Sequence, residues 1–556
     1  MKKLTEKEKY LEWKKFVTDE ELSADLESID GNEAEIFDRF YRELEFGTAG
    51  LRGILGAGTN RMNVYNVRRA TKGLADYLNA KKEGSSVAIA YDTRYNSEKF
   101  ARNAASVLVA NGIKVWLYAE PAPTPMLSYA VRERNCDAGI VVTASHNPKN
   151  YNGYKAYGAD GCQISPEVAA EITAYIEKNS YPADEDLADF DEAVAEKKII
   201  MLPESFWRRY YARVLKEGVD RGHHFENNLS IVYTPLNGTG ITPVLNTLSL
   251  AGFGNVTVVP EQAKPDPDFT TCPFPNPELP EPLTLAINKA KEIGADIVIA
   301  TDPDSDRIGV VSREADGFRV LSGNEVGVML LNFIAEARKA NGIMPEKPVA
   351  IRSFVSTRFT DAVAEYHGIE LLKVFTGFRF IGKAIAELEE KGEAENLIFA
   401  YEESCGYLSG TYVRDKDGVD ASLLVCEMAN WYKLRGKTLG TALDELREKF
   451  GYYLDSTDNF YFAGADGAKK ISGMMDMLRQ NKPEEIAGKK VNNVLDYLPK
   501  SNMMEFSLES GEGFIVRPSG TEPKIKIYYF IKGEDKNSAE KSLDEIKNSV
   551  RKILGV

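Results

Sequence analysis

Apolar strand-like runs alternating with helical patterns predict an α/β protein of several domains, closed by a smaller α+β domain at the C-terminus. Three observations carry this. The runs are short and continuously apolar, as in parallel sheets buried on both faces. Each is followed by a polar or glycine-rich loop and then a helical pattern, the signature of βαβ units. The chain has 556 residues, more than one hydrophobic core sustains, so three or four domains are expected.

The clearest strands are expected at 87–91, 138–143, 229–234, 296–301, 348–353 and 397–401, with crossover helices such as 97–111 and 283–293. The proline-rich stretch 260–282 fits neither a regular helix nor a central strand and reads as a long surface excursion. Domain breaks are expected near 197–205, 315–318 and 452–459, giving domains 1–203, 204–316, 317–455 and 456–556. In the last of these, strands at 460–463, 513–517 and 524–530 and helices near 465–480 and 538–553 replace the βαβ pattern.

Composition narrows the function. Lys and Arg number 69 against 84 Asp and Glu, a net charge of −15, which argues against a nucleic-acid binder. The five cysteines are scattered with no C-x-x-C pair, so neither a zinc site nor a disulfide framework is expected and a reducing compartment fits. The N-terminal lysines precede no apolar segment, so no signal peptide is read. No stretch approaches the ~18–20 apolar residues that span a bilayer. The expectation is a cytoplasmic protein.

In open parallel sheets, ligands bind at the carboxyl ends of the strands. Three loops meet that rule. Asp302, Asp304 and Asp306 alternate on a tight turn after the 296–301 strand, where they can converge on one hard cation. Position six is Arg307 and position twelve Arg313, which excludes an EF-hand; three carboxylates suit magnesium, which keeps water or phosphate oxygens as further ligands. A solvated acidic turn is the plain alternative. Ser145 follows the 138–143 strand as a candidate nucleophile. Thr143 and Asn147 occupy the places where a hydrolase elbow needs glycine, and an ordinary loop serine beside a structural His146 is the alternative. Glu402 and Ser404 follow the 397–401 strand.

Near the C-terminus Arg517, Ser519, Gly520 and Thr521 can wrap a phosphate with a bidentate guanidinium and short donors; the alternative is a plain turn between strands. Two nucleotide-binding readings fail. The Gly377–Gly382–Lys383 spacing has Ala384 where a magnesium-binding hydroxyl belongs, and Gly238–Gly240 has Pro243 at the third glycine position.

Taken in order, the 47–53 segment with Arg52, the 143–148 segment with Ser145, the 302–307 loop, the Glu402-Glu403-Ser404 triplet and the 517–523 segment resemble the motifs of the α-D-phosphohexomutase superfamily. The resemblance covers nearly the whole chain and is greatest to its longer phosphoglucomutase branch, which has phosphopentomutase-like relatives. It implies four domains around a central cleft, the first three built alike. It implies an isomerase that interconverts glucose 1-phosphate and glucose 6-phosphate through a phosphoserine, with glucose 1,6-bisphosphate as intermediate and activator and one Mg2+ as cofactor.

The same resemblance assigns roles. Ser145 would carry the phosphate, and Asp302, Asp304, Asp306 and that phosphate would hold the metal. Lys155 would be the acid or base. Arg52 and Arg307 would face the transferring phosphoryl group. Glu402 and Ser404 would hold sugar hydroxyls, with Thr376, Gly377 and Arg379 setting sugar specificity. Arg517, Ser519, Gly520 and Thr521 would grip the other phosphate. A monomer or homodimer acting on a small phosphosugar is implied. Tyr401 and, allowing for the inserted Cys405, Tyr407 stand where the bacterial phosphomannomutase-like pattern has Gly and His. That weighs against a histidine acid or base in this loop and against a phosphomannomutase. Phosphopentomutase, phosphomannomutase and phosphatase activities are the alternatives within the enzyme class. A catalytically silent phosphosugar-binding regulator is the alternative outside it, and the intact Ser145, aspartates and Lys155 argue against that.

Overall fold

The computed structural model describes residues 4–47, 50–219, 227–462, 464–519 and 524–556, with backbone alone at 464–466 and 468. Four sheets follow one another along the chain. The first holds β1 (Gly50–Ile54), β2 (Ser86–Tyr91), β3 (Lys114–Tyr118), β4 (Ala138–Val142), β5 (Tyr151–Gly158) and β6 (Ile199–Leu202), in the order β1-β5-β4-β2-β3-β6. The second holds β7 (Ile231–Thr234), β8 (Val256–Val258), β9 (Ile297–Thr301), β10 (Ile308–Glu314) and β11 (Gly317–Leu321), ordered β11-β10-β9-β7-β8. The third holds β12 (Val349–Ser353), β13 (Glu370–Val374), β14 (Leu397–Glu402) and β15 (Gly406–Leu408), ordered β13-β12-β14-β15.

One four-strand unit recurs in all three. Two helical crossovers make three parallel strands, and a fourth returns antiparallel beside the third: β5 on β4, β10 on β9, β15 on β14. The third strands are buried at every residue, which explains their continuous apolar sequence. The turn into the returning strand carries a non-glycine residue in the left-handed region each time: Ser145 (φ 51°), Ser305 (φ 51°) and Cys405 (φ 59°). Such backbone costs about 1–3 kcal/mol and persists only where its surroundings impose it. The three functional loops expected from the sequence are therefore one structural position, repeated.

The fourth sheet is wholly antiparallel: β16 (Tyr452–Tyr461), β17 (Glu485–Ile486), β18 (Lys489–Asp496), β19 (Met504–Leu508), β20 (Gly513–Pro518) and β21 (Lys524–Gly533), ordered β16-β21-β20-β19-β18-β17. Helices Gly464–Gln480 and Lys536–Leu554 complete it. The protein is thus α/β with a C-terminal antiparallel domain.

Strand pairing details two of the expected breaks. The 315–318 loop is the turn of the β10–β11 hairpin, so the second sheet runs on to Leu321. The 452–459 segment is no linker but most of β16, paired with β21 over its whole length; the strand expected at 460–463 is only its end. The 260–282 stretch keeps short 3-10 turns at Pro260–Gln262 and Glu281–Leu283. It is not merely a surface excursion, because Phe269 and Cys272 bury against Leu236, Asp268 pairs with Lys149 of the β4–β5 loop and Glu278 pairs with Arg307.

Apolar packing sets what can move. One continuous core runs from Ala88 and Tyr129 in the first unit through Tyr233 in the second to Tyr401 and Trp431 in the third. The C-terminal domain has its own core around Phe506, Phe514 and Tyr529.

Candidate active site

The loop of the candidate nucleophile joins β4 to β5. Ser145 is buried, and its hydroxyl donates to Asp302 Oδ2 at 2.9 Å while lying 3.1 Å from His146 Nδ1. Its N–H donates to Thr143 Oγ1 at 2.8 Å. Gly153 on β5 lets the return strand pass close, since a Cβ there would lie 2.5 Å from the Thr143 carbonyl oxygen. The β4–β5 register sets Lys155 opposite Val141, and Lys155 Nζ reaches Asp304 Oδ2 at 3.0 Å and Asp306 Oδ2 at 3.9 Å. Arg52 lies on β1 opposite Gly153. Burial first, then the charges of Arg307 and Arg52, hold His146 well below the ordinary imidazole range, so the ring beside Ser145 is neutral.

The second loop brings Asp302, Asp304 and Asp306 together, with one carboxylate oxygen of each within 4.8 Å of the others. Every one of them is buried. Asp302 Oδ1 accepts from the N–H groups of Asp306 and Arg307, both at 3.1 Å. Asp304 Oδ2 accepts from Thr124 Oγ1 at 2.9 Å, and Asp306 Oδ2 lies 2.7 Å from Lys416 Nζ. Among the described residues, Asp304 Oδ1 and Asp306 Oδ1 are buried without a hydrogen-bond partner. Burial and the neighbouring aspartates push Asp302 well above the usual carboxylate range, and Asp306 is raised for the same two reasons. Against the penalty of burial, Lys155 holds Asp304 low. Unsatisfied oxygens on crowded carboxylates are what a hard cation relieves, so the residues fit a divalent metal. Arg307 pairs with Glu278 from the 260–282 stretch, and its buried Nε has no hydrogen-bond partner among the described residues.

The third loop supplies Glu402, whose Oε1 accepts the Gly377 N–H at 2.5 Å. Burial first, then Glu403, raises Glu402 to about 7. Gly377, at φ 117°, starts the helix Phe378–Glu390. Thr376 Oγ1 and Arg379 Nε are buried without hydrogen-bond partners among the described residues. Ser404 is half-buried in the same loop. Burial and the charge of Arg517 lower Arg379, which sets the C-terminal motif near the third loop. Arg517 on β20 pairs in register with Lys526 on β21, and the Ser519 N–H donates to the Lys524 carbonyl at 2.8 Å. Gly520 and Thr521 lie outside the described residues.

Sequence reasoning missed Lys416, Arg94 and Glu278. Lys416 is buried between Asp306 and Asp415, in a run (Arg414, Asp415, Lys416, Asp417) of four charged, buried residues. Consecutive charges between an apolar strand and an apolar helix were the available signal. Tyr407 donates its hydroxyl to the Gly323 carbonyl at 2.9 Å inside the core, so it offers no acid or base to the site.

Comparison with known proteins agrees with this layout. Residues 43–183, 209–317 and 322–450 match, in turn, the families described as "Phosphoglucomutase/phosphomannomutase, alpha/beta/alpha" domains I, II and III. The chain is 38% identical over 508 residues to a phosphoglucomutase of Staphylococcus haemolyticus, covering 88% of this chain and 90% of that one. It is 37% identical over 531 residues to a phosphoglucomutase of Staphylococcus aureus, covering 92% of each. In fold it is similar to the open form of parafusin, a Paramecium phosphoglucomutase (TM-score 0.71, 20% identity, 93% of this chain and 95% of that one). It is likewise similar to a phosphoglucomutase/phosphomannomutase family protein of Burkholderia thailandensis (TM-score 0.69, 19% identity, 91% and 97% covered).

Proposed function

The chain belongs to the phosphoglucomutase/phosphomannomutase family, and from that premise we propose that it interconverts glucose 1-phosphate and glucose 6-phosphate through a phosphoserine at Ser145. The observation that carries this is the meeting of Ser145 with the buried aspartate loop: Oγ lies 2.9 Å from Asp302 Oδ2, across 157 residues of sequence. A serine so placed can hold a phosphoryl group among metal ligands and cations.

Asp302, Asp304, Asp306 and the Ser145 phosphate would hold one Mg2+, which neutralises charge on the phosphoryl oxygens when bound. A sugar hydroxyl oxygen forms the new bond to phosphorus as the bond to Ser145 Oγ breaks, and Lys155 relays the proton: its ammonium gives one to the freed Ser145 Oγ and takes up the one the hydroxyl loses. Arg52 and Arg307 stabilise the transferring group. Glu402 and Ser404 hold sugar hydroxyls, and Thr376, Gly377 and Arg379 shape the sugar pocket. Arg517 and Ser519, with Gly520 and Thr521 of the same motif, hold the phosphate that is not reacting. The product of the first transfer is glucose 1,6-bisphosphate; after it reorients, its other phosphate returns to Ser145. Among the described residues no helix is long and apolar enough to cross a membrane, in keeping with action in the cytoplasm.

Purified protein should be assayed on glucose, mannose and ribose 1-phosphates, with Mg2+ and with excess chelator. The expected result is fastest turnover of glucose 1-phosphate, loss of it in chelator, and phosphate on Ser145 by peptide mapping. Full activity of Ser145→Ala would refute the phosphoserine route, and faster turnover of another sugar would reassign the substrate.

A further inference from the structure

The loop that carries Ser145 is tied down from behind by one side chain. Arg94, on the turn after β2, is buried. It donates through Nη2 to the carbonyls of Ser145, at 2.5 Å, and Asn147. Through Nη1 it donates to the carbonyls of Pro148, at 2.9 Å, and Tyr151, at 3.3 Å. Its Nε lies 3.3 Å from Asp92 Oδ2, and Asp92 Oδ1 accepts the Arg94 N–H at 3.0 Å and the Ser97 hydroxyl at 2.6 Å. The Phe269 ring, from the 260–282 stretch, lies 4.8 Å from the guanidinium carbon. The guanidinium plane is thus fixed by an ion pair at one edge and a ring from another unit on one face.

Loop carbonyls between two strand ends turn inward here, and buried carbonyls need donors. A planar guanidinium has five N–H groups in a rigid fork, and four of them serve four carbonyls of a single seven-residue segment. With the Ser145 N–H bound to Thr143 Oγ1, the peptide groups on both sides of Ser145 are pinned. That pinning holds the left-handed φ of 51° and so sets where Oγ stands relative to Asp302. Arg94 Nη2 is engaged with the loop carbonyls behind the serine, which separates its work from that of Arg52 and Arg307.

We propose that Arg94 is a positioning residue for phosphoryl transfer, holding the nucleophile loop in the conformation that places Ser145 Oγ against the metal-binding carboxylates. The proposal rests on the phosphoserine reading above. It requires the fork, not the charge: a lysine keeps the charge but offers three donors from one point and cannot reach four carbonyls.

The test is Arg94→Lys, compared with wild type for melting temperature, kcat and KM on glucose 1-phosphate, and the rate at which glucose 1,6-bisphosphate phosphorylates the enzyme by intact mass. A displaced nucleophile predicts kcat lower by ~100-fold, phosphorylation slowed in parallel, and KM near the wild-type value because the sugar and distal-phosphate contacts remain. A kcat near wild type, or a KM that rises in proportion to the loss of kcat, overturns the proposal. Where Arg94→Lys does not fold, Asp92→Asn decides: it leaves the fork but removes its ionic anchor, and should lower kcat by about 10-fold at unchanged KM, whereas an unchanged kcat overturns the proposal. A wild-type protein that is never phosphorylated refutes the phosphoserine reading itself, and the role of Arg94 with it.

Discussion

Lys416 Nζ sits 2.7 Å from Asp306 and 3.3 Å from Asp415, and burial is outweighed by those two carboxylates, which raise its pKa. Removing one partner of a buried ion pair costs about 3–5 kcal/mol because the other charges stay behind uncompensated. Lys416→Met should therefore lower the melting temperature in chelator. Because Asp306 belongs to the proposed metal loop, added Mg2+ should raise the melting temperature of the variant more than that of wild type, by mass action on the folded state. Equal melting temperatures of variant and wild type in chelator would show that the pair contributes nothing. Lys416 also marks the limit of reading single residues from sequence. Ser145 and the three aspartates are legible because each follows an apolar strand within a compact motif. Lys416 and Arg94 acquire their roles only when a distant strand end is folded against them, which a run of charges in the sequence signals without naming the partner: 110 residues separate Lys416 from Asp306, and 51 separate Arg94 from Ser145.

At the scale of elements, legibility follows burial. The strands β2, β4, β7, β9, β12 and β14 are legible to within two residues because nearly every residue in them is buried and their sequences are mostly apolar. β16 reads as a domain break because it is a half-exposed edge strand in its sheet, with Asp455, Ser456, Thr457, Asp458 and Asn459 in succession, residues typical of loops. Its pairing with β21, not its composition, makes it a strand. One of those residues is titratable in the physiological range. Burial, set against a hydrogen bond to Thr357, raises Asp455 to about 7. The folded state therefore binds this proton more tightly than the unfolded chain does. Its stabilising contribution is complete below the unfolded value near 4 and declines as pH rises to about 7. Each tenfold gain in proton affinity corresponds to about 1.4 kcal/mol of stability. The melting temperature should fall between pH 5 and pH 7.5, and Asp455→Asn should flatten that decline. Glu402, also raised to about 7, adds a slope of the same sign that this variant keeps. Identical pH profiles for the two proteins would remove Asp455 from the account.

At the scale of the whole molecule, the division of cores predicts which part moves. The first three units share one continuous core and behave as a block, whereas the C-terminal domain meets the third unit through Tyr453, stacked on Phe359 at 4.8 Å, and a small apolar cluster. That cluster comprises Val355, Met503, Ile515, Tyr528 and Phe530, with Phe354, Phe375 and Tyr497 packed beside it, and Arg358 adds an ion pair to Glu505 at 3.0 Å. Phe375 immediately precedes Thr376, so the joint of the C-terminal domain is also the root of the proposed sugar loop. Arg517 belongs to the smaller, separately packed domain, and Arg379, whose pKa its charge lowers, to the block. Two cations held near each other repel until an anion sits between them, and a distal phosphate supplies that anion. Binding energy at this remote group would then draw the domain shut, excluding water and orienting the reacting end. Arg517→Ala leaves the phosphate without its bidentate partner, a loss of about 2–4 kcal/mol in a desolvated site. Mutase kcat/KM should fall by roughly 30- to 1,000-fold. Ser145 should still be phosphorylated when glucose 1,6-bisphosphate is abundant, because the serine lies in the block and the arginine outside it. With closure weakened, water reaches the phosphoserine more often, so the ratio of phosphatase to mutase activity should rise. Measuring both rates separates the roles: a fall in flux at constant ratio would make Arg517 a binding residue without a part in closure, and no change in either would leave the motif an ordinary turn between β20 and β21.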